Sequence, residues 1–395
     1  MGPIHHPSGI HMDRSVVTFP LVLLLMIFLA GCASRGSLSH ATPDIPQIAD
    51  IELKTVFVAT NRQREEGTKY LSFGPERSEE ISYGRFEISI PPNHKVGEIE
   101  WATGKVNPTR HFVTAKSALL SSPQDFRASL SQDLIKSQSF TPGGKKEVIL
   151  FIHGYNTNFA EGLYRVAQLR HDYEMPSPMV LFSWPSAGKT GLYVYDRDSV
   201  IVSRDNLVNV IEQLHKSGVD QITLVAHSMG SSLLMESLRQ IHISGRKSIL
   251  SKVNGVILLS PDIDIDVFNN QLDHIRPLPR PFMIFASQKD EALEISSFLT
   301  GKEQRIGNNI DLEKIAHPGI SVVDVTDFKG GDSLNHFTVA TSPALVNLLK
   351  GLQEESPLEA LEAGVKQQSL GSQVANTATL PLRILTTTTN AVFSR

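Results

Sequence analysis

The spacing of hydrophobic residues changes character near residue 147. Upstream, short runs alternate apolar and polar positions, the two-residue period of strands with one buried face. Leu53 to Ala59 and Tyr83 to Ile90 read as such strands, the second stopped by Pro91-Pro92, and further strands are expected over 97–101 and 110–115. The polar stretch 63–80 reads as a loop, and Phe126, Leu130, Leu134 and Ile135 give a helix over 123–139. Downstream, Val148 to Ile152 is an unbroken apolar run, and mainly apolar runs follow at 179–183, 222–226, 253–259, 282–286 and 320–325. Such runs suit strands buried on both faces of a parallel sheet. Between them, helical spacing appears over 159–173, 198–217 and 229–243, in a short helix from Asp290, and over 343–352. The alternation predicts an α/β fold, a mostly parallel, doubly wound sheet with an N-terminal antiparallel β extension along one edge. Functional loops then sit beyond the carboxyl ends of the strands. One domain spans 51–352, with a β-rich part over 51–145 and the core over 146–352. Residues 353–395 turn to Gln, Ser, Ala and Thr and read as a disordered tail, apart from a possible short helix at 357–367.

The pattern is sharpest at 221–233, QITLVAHSMGSSL. An apolar run from Ile222 to Ala226 meets His227-Ser228-Met229-Gly230, and Leu233, Leu234, Leu238 and Ile241 follow at helical spacing. A serine thus stands at the apex of a strand, a sharp turn and a helix. The arrangement resembles the nucleophile elbow G-x-S-x-G of α/β-hydrolases, with Ala226 in place of the first glycine. The chemistry requires this shape because a strained turn projects the hydroxyl above the sheet. Backbone N-H groups opening the next helix then face any oxygen that turns negative during attack. Strand and helix pass close together there, and Ala226 and Gly230 are small enough to allow it.

An activated serine needs a base and an acid, which α/β-hydrolases supply in the chain order Ser, acid, His. Of the fourteen histidines, that order leaves His317 and His336. His317 precedes Pro318 at the start of the last strand, the wrong end of the sheet; His336 lies beyond that strand's far end, in the GGDSLN loop. The base is therefore His336. For the acid, Asp290 follows the strand PFMIFA through a short turn, and Asp262, after the preceding strand, is the alternative. His153-Gly154-Tyr155 follows the first buried parallel strand, so the N-H groups of Tyr155 and Met229 are the expected oxyanion donors. His153 itself reads as a structural hydrogen bonder, since no cluster with metal-ligand spacing accompanies it.

Two motifs are decoys. SWPSAGKT at 183–190 ends like a phosphate-binding loop, but Ser183 stands where its first glycine belongs and no helix is expected at Thr190. Asp262, Asp264 and Asp266 imitate the opening of a calcium loop, yet Val267 stands at its glycine position and Asp273 at its twelfth. No metal or cofactor is called for.

The N-terminus changes where the protein is expected to work. Arg14 leads into an apolar run too short for a comfortable membrane span, ending Leu29-Ala30-Gly31-Cys32. This resembles a bacterial lipoprotein signal, which implies cleavage of 1–31, a diacylglyceryl group on Cys32 and an acylated new terminus. Met12 is an alternative start, and a signal cleaved without lipid or an uncleaved anchor are alternative fates. Cys32 is the one cysteine of the chain, which leaves no intramolecular disulfide. Alanine and serine after it resemble lipoproteins sorted to the outer membrane, so the expected location is the bacterial cell envelope, facing the periplasm. Residues 32–50, rich in Ser, Pro, Ala and Thr, read as a flexible tether. A net charge of -4 with interspersed signs and no basic patch gives no reason to expect nucleic acid as a partner, and 41% hydrophobic residues suit a globular core.

Together, VFVATNR, YGRFEISIPP, FIHGYN, FSWPSAG, AHSMGS, LLSPDID and SQKDEAL resemble a bacterial family of α/β-hydrolases of unknown function, over about 52–352. The resemblance implies Ser228, Asp290 and His336 as a triad, with Tyr155 and Met229 as oxyanion donors. The reading is a lipid-anchored serine hydrolase of small-molecule or lipid esters. An acyltransferase with the same triad and a non-catalytic envelope scaffold are the alternatives. No long lid-like apolar insertion stands out, which favours small or accessible esters over emulsified fat.

Overall fold

The computed structural model describes residues 35–40, residues 51–351 apart from 69, 302, 310, 312, 313 and 316, and residues 383–386. The chain divides after Arg35, and the unit described below runs from Gly36. The signal segment, Cys32 and the possible helix at 357–367 lie outside the described residues.

Three strands open the unit: β1 (Glu52–Arg64), β2 (Phe73–Ile90) and β3 (Val113–Leu120), with helix α1 (Pro123–Ser137) after them. Alternation follows: β4 (Glu147–Ile152), α2 (Phe159–Asp172), β5 (Met179–Ser183), α3 (Tyr193–Lys216), β6 (Gln221–His227), α4 (Met229–Ile243) and β7 (Val253–Leu259). The last part holds α5 (Ile265–His274), β8 (Phe282–Ala286), α6 (Glu291–Leu299), β9 (Ile320–Asp324), the short α7 (Thr338–Thr341), α8 (Pro343–Gly351) and β10 (Arg383–Thr386). The ten strands form one sheet in the order β10-β9-β8-β7-β6-β4-β5-β1-β2-β3. From β9 to β1 every neighbouring pair is parallel, while β10 and the β1-β2-β3 edge are antiparallel.

The two-residue period of the strands divides the core. Val148, Leu150 and Ile152 of β4 face α1, α3, α4 and α5, whereas Phe151 faces α2 and α8. Because both faces are covered, the central strands carry no polar alternation, which is why they read as continuous apolar runs. No helix of the described residues is long and apolar enough to cross a membrane.

Five expectations change. The stretch 63–80 is mostly strand, because β1 and β2 form a long hairpin that pairs as far as Arg64 with Phe73. Glu76 to Glu80 overhang the core there, so no apolar alternation marks them. Residues 97–101 are turn and irregular, although Trp101 still packs, stacked 5.1 Å from the Tyr164 ring. The strand expected at 110–115 starts at Val113 and continues to Leu120. Helix α5 lacks a long periodic run, but Asp264 caps it, accepting from the N-H groups of Asp266 and Val267. Finally, the tail contributes β10, four residues paired with the otherwise open edge of β9.

The described part of the expected tether is also docked. Ser39 is buried; its N-H donates to the Tyr164 hydroxyl (2.9 Å), and its carbonyl accepts from that hydroxyl (3.0 Å) and from Thr114 N-H (2.7 Å). The His40 ring stacks on Tyr70 at 3.6 Å, and Asn158 Nδ2 donates to the Gly36 carbonyl at 2.9 Å. Backbone hydrogen bonding, which composition does not reveal, holds this strip.

Candidate active site

Ser228 sits between β6 and α4 with φ 52° and ψ −125°. A non-glycine residue held there carries strain of about 1–3 kcal/mol, so the surroundings must over-determine it. They do: Ser228 N-H donates to the Leu259 carbonyl (2.9 Å), and the Ser228 carbonyl accepts from Ser231 and Asp262 N-H at 3.0 and 3.2 Å. A Cβ on Gly230 would lie 2.3 Å from the His153 carbonyl, so α4 starts against β4 only because that residue is glycine. Gly154 is pressed as closely against the elbow, since a Cβ there would meet the Ser228 Cβ at 2.8 Å. This contact brings the loop carrying Tyr155 beside Ser228, at the carboxyl edge where Met229 opens α4.

His336 arrives on the loop after β9. Its Nδ1 lies 2.9 and 2.8 Å from the two carboxylate oxygens of Asp290, whose side chain is fully buried. Asp290 is also the cap of α6, accepting from Leu293 N-H at 3.0 Å, and this helps to fix the carboxylate that faces the histidine. Asp332 shapes the loop by accepting from His336 N-H at 2.6 Å and from the Thr341 hydroxyl at 2.9 Å. Burial lowers the proton affinity of His336, but the hydrogen bond and charge of Asp290, with Asp262 and Asp332 beyond, outweigh it. Its pKa therefore lies above the ordinary 6.5.

Asp262 is engaged elsewhere. Its Oδ2 accepts from the Tyr193 hydroxyl (2.9 Å), its Oδ1 from Ser296 (2.7 Å), and Arg305 Nε lies 3.3 Å from Oδ1. It ties α3, α6 and the segment after β7 together, and the carboxylate on His336 is Asp290. Burial and the neighbouring Asp262 push the Tyr193 hydroxyl up to about 12.

Several further residues, given no role by the sequence reading apart from His153, position the site. His227, directly before Ser228, stacks on Phe337 at 3.8 Å, and its Nε2 lies 3.3 Å from the His336 carbonyl. Burial, and then the charge of His336, hold His227 neutral, so it serves as a donor to the loop and competes with nothing for protons. Arg62 is buried at the end of β1 and donates to the Ser183 hydroxyl and to the carbonyls of Gly74, Ser186 and Thr157 at 2.8 to 3.2 Å. Asp196, fully buried on α3, accepts from Asn156 N-H (3.0 Å), Ala187 N-H (2.7 Å) and the Ser186 hydroxyl (2.6 Å). These two opposite charges hold the Tyr155 loop against the SWPSAG loop, so Ser186 is fixed by Asp196 in a structural turn. His153 lies between the carbonyls of Gly154 (2.9 Å) and Trp184 (3.1 Å) and stacks on Trp184. Burial and nearby Arg62 hold its pKa down to about 3, as suits a structural neutral ring.

Among the described residues one group has metal-ligand spacing: His94, His171 and Asp172, with ligand atoms within 4.8 Å of one another. His94 already spends both ring nitrogens on Glu100 (2.9 Å) and Asp172 (2.8 Å). Burial opposes its charge, but those carboxylates prevail and raise its pKa to about 9, which makes it a cationic staple. Beside it, at the amino edge of the sheet, a cleft of about 700 Å³ is lined by Glu52, Lys54, Arg170, His171, Glu174 and Lys350. It lies at the opposite end of the strands from Ser228.

The family described as alpha/beta hydrolase of unknown function (DUF900) matches residues 122–352. An uncharacterised protein of Nostoc sp., alr1448, is 24% identical over 211 residues, covering 47% of this chain and 50% of its own. The chain thus spans about half the length of that curated relative. Among solved structures, dienelactone hydrolase from Anabaena variabilis is 10% identical, with 74% of this chain and 96% of that one covered and a TM-score of 0.35. Esterase B from Lactobacillus rhamnosis is likewise 10% identical, covering 90% and 98%, with a TM-score of 0.37.

Proposed function

Because the chain belongs to the family of alpha/beta hydrolases of unknown function, we propose that it is a serine hydrolase cleaving carboxylic esters through an acyl-enzyme. Ser228 Oγ attacks the ester carbonyl carbon while His336 takes the hydroxyl proton, and Asp290 holds Nδ1-H so that the other ring nitrogen is the base. The carbonyl oxygen, now negative, receives the N-H groups of Met229 and Tyr155. Collapse breaks the bond to the alkoxy group, which leaves as the alcohol with the proton from His336. Water, deprotonated by the same ring, then attacks the acyl-serine; the acyl–Oγ bond breaks, the acid is released and the ring returns the proton to Ser228 Oγ.

The observation that carries this reading is the buried Asp290 carboxylate on His336 Nδ1, with the His336 ring 4.7 Å from that of His227, the residue before a serine held at positive φ. An acid, a base and a strained nucleophile on the carboxyl edge serve no packing purpose that less strained residues would not serve. The cell-envelope location belongs to the same reading: the Leu29-Ala30-Gly31-Cys32 motif supports a lipid anchor on Cys32, with the domain on the periplasmic side of the outer membrane. Pre-steady-state hydrolysis of a p-nitrophenyl acyl ester is the test. Wild type should release a burst of p-nitrophenol stoichiometric with enzyme, and Ser228→Ala should show none. A Ser228→Ala protein with wild-type turnover would remove the nucleophile and the reading with it.

A further inference from the structure

Around the candidate site, apolar side chains stand in water where a soluble rim would be polar. On α6, which Asp290 caps, Ile295, Phe298 and Leu299 are 54, 71 and 59% exposed. Leu192 and Val194, at the start of α3, are 42 and 72% exposed, and Leu334, two residues before His336, is 38% exposed. The three segments touch. Tyr193, between the first two, lies 3.0 Å from the Ser296 hydroxyl, and Glu291 N-H donates to the Leu334 carbonyl at 3.1 Å. Scattered exposed apolar residues need no explanation, but a joined set that includes a chain neighbour of His336 does.

The docked strip says what covers it. Gly36 is fixed to Asn158, the cap of α2, at the same carboxyl edge as Ser228. Gly36 is the fourth residue after Cys32, a reach of at most about 14 Å for an extended chain. A tether docked from Gly36 onwards leaves little slack, so an acyl group on Cys32 favours this edge facing the bilayer.

Resting on the hydrolase and lipid-anchor readings above, we infer that the apolar rim of Leu192, Val194, Ile295, Phe298, Leu299 and Leu334 faces the membrane, and that the ester taken is carried by a membrane lipid. The rim shelters acyl chains as a lipid rises from the bilayer, and its ester carbonyl meets Ser228 at the edge of the sheet. The site is then served by the surface that it faces, with no lid required.

With Cys32 occupied by lipid, an introduced cysteine is the one free thiol of the mature protein. Phe298→Cys and, at the amino edge of the sheet, Lys136→Cys would be labelled with a small environment-sensitive fluorophore in the lipidated protein, reconstituted in phosphatidylcholine vesicles. Spin-labelled lipids should quench position 298 at least threefold more than position 136, whose side chain is 74% exposed. A lipidated protein in which both positions are quenched alike overturns the inference alone. A mature chain without lipid on Cys32 overturns it together with the anchor reading. For the substrate, kcat/KM should be at least tenfold higher for an ester embedded in the vesicle than for a water-soluble ester of the same acyl group, and the reverse preference overturns that half. If wild type cleaves neither ester and takes no fluorophosphonate label, the hydrolase reading fails while the quenching result stands.

Discussion

Ser228, Asp290 and His336 each carry a testable physical consequence. Ser228 has a backbone that glycine prefers, so Ser228→Gly should be more stable than Ser228→Ala by about 1 kcal/mol in chemical denaturation. Equal stabilities would mean that the elbow is not strained. His336 has a raised pKa, and the proposed mechanism needs it neutral to act as a base, so kcat/KM should rise with pH along a limb centred above 6.5. In Asp290→Asn the hydrogen bond and charge that raise it are gone while burial remains, so the limb should move to lower pH and kcat should fall about 10³–10⁴-fold. The stability effect has the opposite sense. A raised folded pKa stabilises fully below the unfolded value of 6.5, and that contribution fades as pH rises through the folded pKa. The stability gap between wild type and Asp290→Asn should accordingly narrow on going from pH 6 to pH 9. A gap that widens would contradict the pairing.

Among the elements, the loops at the carboxyl edge are positioned by charges buried far from them in sequence. Arg62 ends β1, Asp196 opens α3, and between them they hold the backbone at 156–157 and 186–187. Arg62→Met strands three carbonyls and a hydroxyl, and should cost about 2–4 kcal/mol in stability. Asp196→Asn turns one acceptor into a donor facing N-H groups, and should lower kcat more than it raises KM, as displacement of an oxyanion donor would. An unchanged kcat would separate the clamp from the site. This network explains what was legible in the sequence and what was not. The central strands announced themselves because burial on both faces leaves an unbroken apolar run, as in 148–152 and 282–286. The elbow was legible because its chemistry forces small residues and a strand-turn-helix into neighbouring positions. Arg62, Asp196 and His227 were not, because most of their partners lie 40 to 124 residues away and many are backbone groups, which leave no trace in side-chain spacing. Asp290 and Asp262 stood in equivalent places after neighbouring strands. Only the fold separates them, giving one to His336 and the other to Tyr193 and Ser296.

Taken as a whole, the molecule is a hydrolase core to which chain at both ends has been added at the sheet edges. β10 pairs with β9, while Gly36 to His40 lie along Tyr164 and Thr114. The docked strip therefore contributes stability as well as reach. In Tyr164→Phe the Ser39 N-H loses its acceptor, which should cost about 1–2 kcal/mol and open the segment around Ser39 to limited proteolysis. A variant that resists proteases as wild type does would show that the strip is held by something else.

The most direct measurement of the central claim is covalent labelling of the full chain by a fluorophosphonate, with Ser228→Ala and His336→Ala beside it. An activated serine predicts one label per wild-type chain, at Ser228, with none on Ser228→Ala and labelling of His336→Ala slowed at least a hundredfold. Wild type left unlabelled while folded, or labelled equally well without Ser228 or without His336, would contradict it.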